Sequence, residues 1–334
     1  MEDININKKV NYGLELLRLI LSFWVVIQHC YKYSYKLNKG KFHVPIFMIM
    51  SFYFYYNTLK TKSNIKIKQR FQRILIPYII WPILLFVCNN ILFKLFKFSQ
   101  FNKKLLLKDL LHQLIFGSKY HPNFYFLFNL IFFTLLFTIM SFFFKKSFIF
   151  IFQILLIISY IFQYSYWNLY FFSKYSNFIL YSLGHILEFL PFAVVGITLR
   201  YLGIITKLKT VKGFAIFFSI AILFLILKFD IFTRITGFFY PGFLLNIGSI
   251  CTFIIFSLFS FKNTKIIFLL KIITKFTGGI YYTHMICFSF LERKILFIKN
   301  KAFQGSIFIY IICYIICYLG NKLSNKTKFK FLFN

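Results

Sequence analysis

Ten long apolar runs, separated by lysine-rich joints, constrain this chain more than any other feature. A helix needs about 20 apolar residues to cross a bilayer. Runs of that kind, bounded by Lys, Asn, Gly or Pro, fall at residues 12–32, 43–59, 74–97, 122–144, 147–164, 179–201, 212–230, 240–261, 276–291 and 304–321. They predict an all-α fold, a polytopic integral membrane bundle of about ten transmembrane helices. Composition excludes the competing classes. The chain is 60% hydrophobic with only 14% charged residues, which a soluble core of this size cannot hide. Disorder is excluded by the 24% aromatic content. A net charge of +33 would suit a nucleic-acid binder, but the uncharged runs between the lysines would not.

The joints set an expected topology. With the N-terminus inside, the inner segments carry the larger share of Lys and Arg, and the densest short stretch, Lys60 to Arg73, falls inside. Both termini are thus expected in the cytoplasm of a multi-pass cell-membrane protein. Residues 102–116 and 264–275 read as amphipathic stretches lying on the surface, because lysines interrupt their Leu and Ile. No cleavable signal peptide is expected, since no small-residue site follows the first run. The six cysteines lie in or beside apolar runs without a CxxC, which predicts core residues and no metal. Residues 1–334 read as a single transmembrane domain with no appended soluble domain.

Ionisable groups inside a membrane are costly and mark function by default. The first run reads Asn11-Tyr-Gly-Leu-Glu15-Leu-Leu-Arg18-Leu-Ile-Leu-Ser22, and His29 follows. On a helix, Arg18 and His29 share one face, about 16 Å apart along the axis. Glu15 lies one turn from Arg18 and can pair with it. His29 is then a candidate base; the blander reading is a structural ion pair with a surface histidine. His185 and Glu188, three apart, form either a second buried pair or an interfacial one. His284 lies within the ninth run, as a ligand-facing or a hydrogen-bonded structural residue. In the stretch Lys60 to Arg73, two arginines three apart, Arg70 and Arg73, would project from one face of a helical turn. Arginine gives forked recognition of phosphate. The stretch is therefore a site for a phosphate-bearing ligand, or else a basic loop on anionic lipid headgroups.

Together these residues resemble the membrane-bound acyltransferase-3 family. Its opening signature is an acid, two apolar residues, Arg, ten mostly apolar residues and His, as in Glu15, Arg18 and His29 here. Val44-Pro45-Ile-Phe47-Met-Ile-Met-Ser51 is similar to the family's second span. Arg70-Phe-Gln-Arg73-Ile-Leu-Ile-Pro77-Tyr78 is similar to its basic loop entering the third. Tyr125-Phe-Leu resembles a Trp-Phe-Leu segment, and Gly279-Ile-Tyr281-Tyr-Thr-His284 a late Gly-Ile-Tyr…His segment. Two positions depart from the pattern: Ser-Gly reads Ser51-Phe52, and Trp reads Tyr125.

The resemblance implies transfer of an acyl group, usually acetyl, from cytoplasmic acyl-coenzyme A to a hydroxyl of a cell-surface polysaccharide or lipid-linked glycan precursor. His29 would be the general base or transient acyl acceptor. Arg18 would stabilise the oxyanion or orient the donor, and Glu15 would hold Arg18. Arg70 and Arg73 would bind the phosphates of coenzyme A. Tyr281, His284, His185 and Glu188 would line the tunnel or acceptor site. A glycan or lipid-carrier flippase is the alternative on intramembrane charge alone, and a polysaccharide polymerase a further one. The first lacks visible repeated halves, and the second lacks a long outer loop.

Overall fold

The computed structural model describes residues 11–30, 43–96, 105–117, 124–144, 150–158, 178–236, 241–291, 302–324 and 332. Among these residues the fold is helical, with no strand. Helix α1 is Tyr12–Cys30, α2 His43–Thr61, α3 Asn64–Phe96, α4 Leu107–Phe116, α5 Tyr125–Phe143 and α6 Phe178–Tyr201. A short α7 (Ile204–Leu208) leads to α8 (Lys212–Thr236), α9 (Pro241–Leu258), α10 (Thr264–Thr274), α11 (Thr277–Leu291) and α12 (Ala302–Ser324).

Five stretches of the described chain are long and apolar enough to cross a membrane: Asn64–Ile91, Tyr125–Phe143, Ser182–Tyr201, Thr264–His284 and Phe303–Ser324. Shorter apolar helices cover Lys212–Ile226 and Leu245–Leu258. The protein is a multi-pass membrane protein. Helices α1 and α2 have 19 residues each but are less uniformly apolar. Helix α1 carries Glu15, Arg18, Gln28 and His29, and α2 carries His43, three Tyr and Asn57. These two lie in the interior, where polar groups find protein partners. The perimeter is apolar instead: Phe214, Phe217, Phe218 and Leu225 of α8 and Ile311, Ile315 and Leu319 of α12 are exposed. An apolar surface of that extent is what lipid requires and water disfavours.

Three expected boundaries move. The stretch from Lys60 to Arg73 is helix, not loop: α2 ends at Thr61, Lys62 turns the chain with φ 48°, and α3 begins at Asn64. Helix α3 therefore starts ten residues before the expected span at 74–97. At 33 residues it is about 50 Å long, well beyond the roughly 30 Å hydrocarbon layer, so its first turns extend past the apolar core with Lys66 and Lys68. The expected span at 276–291 gains a longer candidate: α10 covers most of the stretch 264–275 as a helix with Leu270 and Thr274 buried and Ile266, Phe268, Leu269 and Ile272 exposed, and it falls within the span-length segment Thr264–His284. By contrast, α4 lies within the expected amphipathic stretch at 102–116, with Leu110 and Gln113 buried and Leu111 and Ile115 exposed. Most of the expected span at 147–164 lies outside the described residues; 150–158 is helical.

Helix association in lipid gains little from apolar burial and depends on close packing and interhelical hydrogen bonds. Both occur here. A Cβ on Gly196 of α6 would collide with the Ile49 carbonyl oxygen of α2, and one on Gly13 of α1 with backbone carbonyls of Phe256 and Phe259 at the end of α9. Those glycines let α6 lie against α2, and α1 against α9. Asn11 fixes the start of α1: its Oδ1 accepts from Gly13 and Leu14 N–H, and its Nδ2 donates to Ser257 O at 2.8 Å.

Candidate functional site

Helix α1 is the axis of the site, because its polar residues meet partners from three other helices. Arg18 Nη2 lies 3.4 Å from Glu15 Oε2 and donates to the Thr274 carbonyl at 2.6 Å. That carbonyl is available because α10 ends there. Arg18 Nε is buried and makes no hydrogen bond among the described residues. One turn further along α1, Ser22 is 2% exposed, donates to Leu19 O and lies 3.0 Å from the Tyr310 hydroxyl of α12. Near the end of α1, the ring of His29 sits 5.0 Å from the ring of His284 of α11. His284 is fully buried, and its Nδ1–H donates to Ile280 O at 3.1 Å. Tyr281, one turn earlier on α11, is 6.0 Å from His284 and 5.5 Å from Phe126 of α5.

Arg70 forms the second element. From the early part of α3 its Nε donates to Thr134 Oγ1 of α5 at 3.1 Å. Its Nη1 and Nη2 donate to Ser51 O at 3.3 Å and Ser51 Oγ at 2.8 Å, on α2. The guanidinium lies over the rings of Tyr55, at 4.2 Å, and Phe52, at 5.0 Å. Every described contact is with a neutral oxygen or an aromatic face, and no carboxylate reaches it among the described residues. A cation held this way is placed and partly stabilised by the rings, but its charge is not neutralised. Three residues on, Arg73 is exposed where Arg70 is half-buried; at that spacing the two project from neighbouring azimuths of α3, about 60° apart.

A third group lies on α5 and α6. His185 Nδ1–H donates to Glu188 Oε2 at 3.1 Å, and the Tyr125 ring stacks on His185 with centroids 4.6 Å apart. His185 and Glu188 thus form the pair anticipated from their spacing, half-open instead of fully buried.

The three groups fall at two levels of the bundle. The start of α1, the late part of α2, the early part of α3 and the ends of α5, α6 and α9 share the level of Arg18 and Arg70. The end of α1, α4, the starts of α5 and α6, and the later part of α11 share the level of His29 and His185. Of the residues expected from sequence, Glu15 with Arg18, His29 with His284 and Tyr281, and His185 with Glu188 are brought together. Thr134, Tyr55, Thr274 and Tyr310 were not anticipated. Thr274 and Tyr310 lie 256 and 288 residues from their α1 partners, so no local pattern announces them. Ser51 was visible only as part of a resembling segment. Among the described residues no group of three or more His, Cys, Asp or Glu could hold a metal ion.

No curated protein and no solved structure matches this chain. The family comparison does match: the acyltransferase domain model of the acyltransferase-3 family aligns with residues 11–322, which include α1 with its Glu15, Arg18 and His29, both arginines of α3, and His284. With nearly the whole chain covered, this protein belongs to the acyltransferase-3 family of acyltransferase domains.

Proposed function

We propose that this protein moves an acyl group, acetyl in the first instance, from coenzyme A held at the Arg18 level, its pantetheine arm carrying the thioester along α1, to a sugar hydroxyl at the His29 level, on a surface polysaccharide or lipid-linked precursor. The observation that carries this reading is the length of α1 between its two polar ends. Glu15–Arg18 and His29–His284 are about 16 Å apart along one helix, on the scale of an extended pantetheine arm and too far for a compact catalytic triad.

The chemistry follows from residue types. A sugar hydroxyl is a poor nucleophile until a base near neutral pKa takes its proton. His29 takes that proton as the hydroxyl oxygen attacks the thioester carbonyl; the C–S bond breaks, and the proton passes to the departing thiolate. A transient acyl-His29 would reach the same products in two steps. Arg18, held by Glu15 and the Thr274 carbonyl, orients the donor along α1, a helix length away from the carbonyl that reacts at His29. Arg70, a placed cation with no counter-charge among the described residues, binds a coenzyme A phosphate, and Arg73 offers an exposed cation beside the entry. Tyr281 and His284 line the passage between the levels. The basic excess of Lys60–Arg73 supports a cytoplasmic Arg70 level with both termini inside.

The test is acyl transfer by the full-length protein in nanodiscs with radiolabelled acetyl-coenzyme A, paired with mass spectrometry of the surface glycan. His29→Ala should abolish the acetyl mass increment, a loss of about 100-fold or more, at normal membrane abundance. Survival of glycan acylation in that variant would sink the assignment of His29.

A further inference from the structure

At the His29 level, one cluster is not used by the steps above. Tyr125 opens α5, and its ring lies nearly parallel to His185, at 16°, and to Phe189 of the same α6 face, at 5.6 Å and 23°. The Glu188 side chain is 43% exposed, against 14% for His185. Glu188 lies within the span Ser182–Tyr201, where a carboxylate turned to lipid is costly, so its open part faces water. One turn on from Tyr125, Asn129 is fully buried and donates to His185 O at 3.4 Å. Its Oδ1 accepts no hydrogen bond among the described residues. A buried amide oxygen in that state is expensive unless a donor arrives. From here a line of ring contacts leads back to the α1 histidine: Phe126 to Tyr281 at 5.5 Å, Tyr281 to His284 at 6.0 Å, and His284 to His29 at 5.0 Å. Helix α4 closes the same level, with Ser182 Oγ donating to Phe116 O and Tyr78 Oη to Leu114 O, each at 2.7 Å.

We infer that Tyr125, Asn129, His185 and Glu188 form the acceptor subsite, and that it takes a neutral or amino-bearing pyranose ring. An aromatic stack presents a flat face to the C–H side of a sugar ring. Glu188 and Asn129 supply acceptors for its hydroxyl or ammonium donors, and a few fixed polar groups on an apolar wall are what a small-ligand site needs. A uronic acid would bring a second carboxylate against Glu188 and be repelled. The inference deepens the acyl-transfer reading and rests on it for the identity of the reaction.

The experiment measures binding separately from turnover. Full-length protein in nanodiscs is titrated with methyl β-D-glucopyranoside and with its uronic acid counterpart by saturation-transfer NMR. Acetyl-coenzyme A consumption is followed in parallel. The neutral glycoside should bind saturably and the uronide about tenfold more weakly or worse. Tyr125→Ala and Glu188→Gln should each weaken glycoside binding about tenfold, a change of roughly 1.4 kcal/mol, with KM for acetyl-coenzyme A unchanged. Tyr125→Trp, which keeps the aromatic face, should stay within about threefold of the parent and shows that the position tolerates change. Absent glycoside binding, equal binding of the uronide, or unchanged affinity in the Tyr125→Ala and Glu188→Gln variants overturns the subsite. An unaltered protein that binds glycoside yet never consumes acetyl-coenzyme A sinks the acyl-transfer reading instead.

Discussion

Two arginines at the same level of the bundle are held in opposite ways. Arg18 has a carboxylate 3.4 Å away and a helix-end carbonyl at 2.6 Å, so its charge is met from within. Arg70 rests on two aromatic rings and three hydrogen bonds to neutral oxygens, so its geometry is fixed while its charge stays unmet. A residue of the first kind can serve as a fixed electrostatic element whatever else is bound. A residue of the second kind is prepared for an anion that comes and goes, because the rings and hydroxyls hold the fork in place without competing as a carboxylate would.

Breaking the Arg70 side should have the larger effect. Arg70→Ala should raise KM for acetyl-coenzyme A by roughly 10- to 100-fold, since a charge-assisted contact is worth about 1.5–3 kcal/mol and each 1.4 kcal/mol is tenfold. Steady-state kinetics at varied donor concentration checks this, and unchanged donor KM would favour a lipid-headgroup role for the start of α3. Arg18→Lys comes next. It retains the charge but loses the fork that reaches Glu15 and Thr274 O together, and it should lower kcat about tenfold with little change in donor KM. Glu15→Gln should cost only a few-fold in kcat. The pair is partly open, with side chains 37% and 27% exposed, and such pairs contribute about 0.2–1 kcal/mol. A double-mutant cycle with Arg18→Lys sharpens the comparison, since coupling confined to that pair is expected and coupling of Glu15 to Arg70 is not. The smallest effect belongs to Arg73→Ala, under about twofold in donor KM, because the side chain is exposed where Arg70 is half-buried. A donor KM that rose equally for Arg70→Ala and Arg73→Ala would erase the distinction.

The scaffold adds a test on α2, which presents Ser51, Phe52 and Tyr55 to Arg70. Gly196→Leu should push α6 away from Ile49 and lower the amount of folded protein recovered in detergent. Enough recovered protein with unaltered donor KM would show that α2 is held in place by other contacts.

Much of this arrangement was readable in the sequence, for reasons particular to each element. Helix α1 declared itself because charge in an apolar run is rare, and 3.6-residue periodicity puts Glu15, Arg18 and His29 on one face. His185 with Glu188 was readable because a partner three residues away is a local matter. The joint at 60–73 was misread because lysine density resembles a loop, whereas Lys and Arg favour helix nearly as well as Leu does. The unequal burial of Arg70 and Arg73 was hidden for a different reason: which of two positions one turn apart packs more deeply depends on where α2 and α5 lie.

The sequence alone thus determined the helical, membrane-spanning class, the family, and the alignment of Glu15, Arg18 and His29 along α1, since hydrophobic run length and helical period act locally. Only the tertiary structure decided that His29 meets His284, that Arg18 is capped by Thr274, that Arg70 is half-buried with no counter-charge among the described residues, and that Tyr125 stacks on His185. Those contacts join residues tens to hundreds of positions apart, and packing between helices in lipid, governed by close approach at residues such as Gly13 and Gly196, leaves no periodic mark in the chain.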